Sequence, residues 1–81
     1  MWQEQEFFVW RKPETLQPFR VVRREVRART QKGYPISFAL KSIPETFDSW
    51  LNARITADFL NQQLLSGEGL DWLEEELSDI E

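Results

Sequence analysis

Five arginines, Arg20, Arg23, Arg24, Arg27 and Arg29, fall close together, and Lys32 follows them. Guanidinium forks at this density suit phosphate oxygens and give nucleic-acid affinity that weakens with salt. They suit carboxylates equally well, on an acidic partner or on this same chain. The matching anions are present as Asp71, Glu74, Glu75, Glu76 and Asp79. Because the whole chain carries a net charge of −4, long-range steering towards DNA or RNA is weak unless the acidic segment moves aside.

Catalytic chemistry has little material. Histidine and cysteine are both absent, which removes the usual general base, the commonest metal ligand and any thiolate. No disulfide framework is possible. Consecutive Glu74, Glu75 and Glu76 point to different sides of a helix and do not converge as an acid/base pair. Asp71 and Glu75 share a face, as do Glu75 and Asp79, but that spacing is ordinary on a solvated helix. Residues 66–76 lack the alternating oxygen ligands of a calcium loop. There is no glycine-rich phosphate loop and no nucleophile elbow. The expectation is a non-enzymatic chain without metal or cofactor.

Charge is sorted along the sequence. Residues 1–41 hold nine Lys/Arg against four Asp/Glu, and residues 42–81 hold Arg54 alone against ten acids. Two surfaces of opposite sign, or one half covering the other, follow from such a split. At 81 residues the chain makes one domain. Four tryptophans are more than a small core hides, so part of the aromatic surface is expected at an interface. Trp2, Phe7, Phe8, Trp10 and Trp50 are read mainly as core. Trp2 is the best interface candidate among them, because terminal residues seldom reach a core centre.

The elements follow from spacing. Residues 2–10 read as a strand, ended by the Arg11-Lys12-Pro13-Glu14 turn. Residues 19–30 read as a strand through Val21, Val22, Val26 and Thr30. A helix remains open there, since Arg20, Arg23, Arg24 and Arg27 also fall at i, i+3, i+4 and i+7. Gln31-Lys32-Gly33 suits a hairpin turn into a strand over 34–40, where Ile36, Phe38 and Leu40 alternate with Ser37, Ala39 and Lys41. Ser42-Ile43-Pro44-Glu45 has capping-box spacing and predicts a helix over 43–65. That helix carries two apolar rows, Phe47/Leu51/Ile55/Phe59 and Trp50/Ala53/Ala57/Leu60/Leu64. The apolar surface is wide enough for a sheet on one side and a second partner on the other. Gly67 and Gly69 form a hinge. Beyond it, Leu70, Leu73, Leu77 and Ile80 predict a short acidic helix over 70–80 that needs a groove to lie in.

From Pro35 onward the order strand, capped helix, second helix resembles the ribbon-helix-helix proteins, a dimeric DNA-binding fold also found among antitoxins. The resemblance covers fewer than half the residues and implies a base-reading face carrying Ser37, Ala39 and Lys41. The long first helix and the Ser66-Gly67-Glu68-Gly69 connection depart from that family's pattern, so the fold is not assigned to it.

The reading is an α+β domain with about three N-terminal antiparallel strands under one long helix. Residues 1–66 form the domain, and 67–81 form the hinge and acidic amphipathic helix. The expected function is that of a small regulatory or adaptor protein that binds another protein or a second copy of itself. Its anchors would be Trp72, Leu73, Leu77, Ile80 and Trp2. The alternative is a nucleic-acid-binding regulator using Arg20, Arg23, Arg24, Arg27, Arg29 and Lys32, screened by the acidic tail; a structural subunit of a larger assembly is a third possibility. The first residues lack a signal-peptide pattern and no run reaches the ~18 apolar residues of a membrane span. A soluble, cytoplasmic setting is therefore expected.

Overall fold

A computed structural model of the chain describes residues 6–67 and 69–80. Trp2 lies outside the described residues. The described chain forms β1 (Phe8–Arg11), β2 (Phe19–Arg29), β3 (Pro35–Phe47), α1 (Trp50–Leu65), α2 (Asp71–Glu74) and β4 (Ser78–Asp79). The strands make one antiparallel sheet in the order β1-β2-β3-β4. The architecture is α+β, with four strands rather than three.

The β-branched residues of 19–30 decide that segment as a strand, and the alternative helical arginine stripe does not form. Register then assigns the sheet faces. Phe8 pairs with Val22, and Val9 with Val21. Val21 points to the α1 side, where it joins Phe7, Ile43, Ala53, Ala57, Leu60, Leu70 and Leu73 in the core. Val9, Phe19, Phe47, Leu64 and Leu77 pack around that cluster. Asn61 ties α1 to the start of β1. Its Oδ1 accepts from the Phe7 amide at 2.7 Å, and its Nδ2 donates to the Phe7 carbonyl at 2.9 Å. Both backbone groups of a buried residue are thereby satisfied.

The helix does not begin at Ser42. Residues 42–47 continue β3, and Ser49 caps α1, its hydroxyl accepting from the Asn52 amide at 3.4 Å. The capping-box spacing at Ser42 and Glu45 loses to pairing with β2, where Ser42 faces Val22 and Phe47 faces Phe19. Pro44 is accommodated because the register shifts there. Three residues of β3, 43–45, stand against the single Val21 of β2, so a residue without an N–H falls where the ladder is already interrupted.

Two glycines sit where their backbone freedom is needed. Gly33 (φ +90°) closes the β2–β3 turn, its amide donating to the Thr30 carbonyl at 2.9 Å. Gly67 (φ +78°) ends α1, its amide donating to the Leu64 carbonyl at 3.2 Å.

The C-terminal helix is shorter than the leucine spacing predicts. One turn, α2, gives way to β4, which pairs Ser78 with Ser42 and Asp79 with Lys41. The Ile80 amide donates to the Leu40 carbonyl at 3.3 Å. The middle of β3 would otherwise present an open edge, and covering it gives these residues backbone partners that a longer helix could not supply.

Candidate protein-binding surfaces

The two oppositely charged halves meet within the chain. Arg23 is bonded to Glu74, and its guanidinium lies 5.9 Å from the Phe7 ring centroid. Lys41 Nζ is 2.9 Å from Asp79 and 3.5 Å from Glu25. Arg27 lies 3.5 Å from both Asp79 and Glu25. The strand alternation explains the selection: Arg23, Glu25 and Lys41 share the sheet side on which α2 and β4 arrive.

The leucines, more than the charges, hold the tail in place. Leu70 and Leu73 are buried in the core, and each such side chain contributes about 1.5–3 kcal/mol. Partly exposed ion pairs contribute about 0–1 kcal/mol each. Charge therefore selects where the segment lies, and apolar burial keeps it there.

The pairing leaves a pH signature. The Arg23 hydrogen bond holds the Glu74 carboxyl below its ordinary value, and Lys41, with Arg27 behind it, does the same to Asp79. Asp79, followed by Glu25, raises the Lys41 ammonium. Carboxyls with lowered pKa values stabilise the docked tail above their ordinary range, and that contribution is lost as pH falls through the lowered values. The raised lysine contributes below its ordinary pKa and ceases to do so as pH rises through the raised one. Docking is thus fullest near neutrality. Acid titration is expected to speed amide exchange at Ser78, Asp79 and Ile80 beyond the intrinsic pH effect. The double variant E74Q/D79N should lack this acid limb.

The remaining arginines lie elsewhere. Arg24 stacks on the opposite sheet face, 4.5 Å from the Phe8 centroid and 6.0 Å from that of Phe38. Arg20 alternates onto the same face; its buried Nε has no hydrogen-bond partner among the described residues. Arg29 donates to the Gly33 carbonyl at 2.9 Å, and Lys32 is exposed in the turn. The structure therefore divides the basic segment between two faces and a hairpin tip and does not gather it into one phosphate-binding stripe.

The expected tail anchors divide as well. Leu73 is 4% exposed and belongs to the core, with Leu77 partly buried against it. Ile80 is half-buried, and Trp72 is exposed. Trp72 and Ile80 remain accessible, while Leu73 is spent on the fold.

A row of exposed apolar side chains runs along α1. Ala53, Ala57 and Leu60 face the sheet. On the opposite side Leu51, Ile55 and Phe59 are 59%, 58% and 56% exposed. Leu65 extends this surface at its C-terminal end. Trp50, half-exposed, belongs to the other row and sits beside β1. One flank carries Arg54 and Asp58, joined at 3.0 Å through Arg54 Nε, with the guanidinium 5.7 Å from the Trp50 ring. A depression of about 290 Å³ adjoins this flank, lined by Phe8, Trp50, Arg54, Asp58 and Asn61 among others. The sequence shows two apolar rows on this helix, and alanine size is the signal that separates them. Small residues let the helix backbone approach the sheet, which leaves the bulky row outside.

No cluster of three potential metal-ligating side chains occurs among the described residues, and no helix among them is long and apolar enough to cross a membrane. In comparisons with known proteins the chain matches no family model, and neither a curated protein nor a solved structure shows significant similarity to it.

Proposed function

We propose that this chain is a small, non-enzymatic regulatory or adaptor protein that works in a soluble intracellular setting by binding protein. Its contact surface is the outer face of α1. The observation that carries this reading is the Leu51/Ile55/Phe59 row, more than half exposed on the most regular element of the fold. Contiguous apolar patches of this kind mark interaction sites. Trp72 and the depression beside Trp50 and Arg54 offer secondary contacts.

Nucleic-acid binding takes second place because Arg23, Arg27 and Lys41 are engaged by Glu25, Glu74 and Asp79. A photo-crosslinking amino acid placed at Ile55, and separately at Arg27, distinguishes the two. Protein adducts from position 55, absent from position 27, are the expected result. Nucleic-acid adducts from position 27, with none from position 55, would overturn the proposal.

A further inference from the structure

We infer that the occupant of the outer α1 face is a second copy of this chain, related by a two-fold axis that sets the two α1 helices antiparallel. The inference rests on the reading of α1 as a protein-binding face and adds the identity of the partner. Charge pattern is what selects it. Along one flank of the apolar row the structure places one cation and one anion, Arg54 and Asp58, four residues apart. A face with that pattern favours neither an acidic nor a basic partner. It is complementary to itself.

The geometry closes under one operation. Residues four apart are separated by roughly 6 Å along a helix. A two-fold axis crossing α1 at the level of residue 56 sets Arg54 of each copy opposite Asp58 of the other. The same axis leaves Ile55 and its counterpart, and likewise Leu51 and Phe59, offset by two residues, about 3 Å along the helix, within reach of these side chains. A residue on one flank stays on that flank under this operation, so both charge pairs form on the same side and reinforce one another. Each pair then adds a second partner without losing its internal one.

The size suits a reversible dimer. Leu51, Ile55, Phe59 and Leu65 are each more than half exposed and form the apolar part of the patch. With Arg54 and Asp58 on the flank and Gln62 among them, all exposed, the patch falls at the small, reversible end of the interface range, below the ~800 Å² per partner of a standard interface. A reversible dimer with a dissociation constant of the order of 1 μM is expected.

Sedimentation equilibrium of the full chain tests this through charge exchange. R54D sets two acids opposite two acids, and D58R sets two arginines opposite two arginines. Each variant alone is expected to weaken self-association at least about tenfold. Mixing the two in equal amounts should produce a heterodimer near wild-type affinity, and the double variant R54D/D58R should recover the homodimer. Arg54 and Asp58 are both exposed, so all variants should keep the wild-type circular dichroism. Unchanged association in both single variants, or no heterodimer in the mixture, would overturn the two-fold geometry. A wild-type chain that stays monomeric while position 55 still crosslinks to another protein would overturn the choice of partner and spare the α1 reading. Absence of both self-association and crosslinking would remove that reading too.

Discussion

Truncating Leu73 to alanine is expected to destabilise the domain by about 3 kcal/mol, within the ~2–5 kcal/mol range for core leucines. Domains of this size have roughly 5–10 kcal/mol in total, so the loss is large. Leu73 joins α2 to a core that includes Phe7, Val21 and Leu60. Removing its side chain leaves a cavity at the point where the acidic segment attaches. The consequences should spread along that segment. Ser78 and Asp79 pair with β3 at its edge, and with Leu73 truncated the segment keeps only Leu70, the partly buried Leu77 and ion pairs worth about 0–1 kcal/mol each to hold it there. Amide protection at 78–80 should therefore fall further than protection in the β1–β2 pair. Trp72→Ala is the control: the neighbouring side chain is 59% exposed, and its loss should stay within ~0.5 kcal/mol. Urea unfolding of both variants checks the pair, and equal stability of the two would contradict core burial of Leu73.

The second large effect concerns binding with the fold intact. Ile55→Glu puts a charge in the middle of the outer α1 row, where burial against a partner would strand it without a counter-charge. Association through this face should fall at least a hundredfold, a change of about 2.7 kcal/mol. Stability should hardly move, because Ile55 is 58% exposed and glutamate is at least as good a helix former as isoleucine. Leu73→Ala loses stability, whereas Ile55→Glu loses association alone. A melting curve and a sedimentation profile of each variant separate the two. Loss of fold in Ile55→Glu would mean that the side chain belongs to the core.

The contrast also shows which parts of the molecule were legible from residue order. β2 was readable because Val21, Val22 and Val26 favour a pleated strand, and tertiary pairing agrees with that local preference. The β2–β3 turn was readable from Gly33, whose positive φ few other residues adopt. The start of α1 was not. Ser42 and Glu45 have cap spacing, but whether a cap forms depends on what Phe47 meets. It meets Phe19, twenty-eight positions earlier in the chain. Ser49 supplies the cap instead, without an acid at the third helical position.

The tail failed for a similar reason. Leu70, Leu73 and Leu77 fall at helical spacing, and all three do turn inward. The open edge of β3 captures Ser78 and Asp79 before a second helical turn can form. A free strand edge is a property of the assembled sheet, and no window of local sequence displays it. The charge sorting was legible as a pattern, and its resolution required the register. Arg23, Arg27 and Lys41 meet the acids, while Arg24 stacks on Phe8 and Phe38.

The central claim is that opposite charges are used within the chain, leaving the outer face of α1 for binding. An amide-resolved NMR dilution series of the intact chain, from millimolar to low micromolar, examines both halves of it at once. The expected result is concentration-dependent shifts confined to residues around Leu51, Ile55, Phe59 and Gln62, with Arg23, Lys41, Glu74 and Asp79 unmoved. Shifts centred on those four charged residues, with α1 silent, would contradict it.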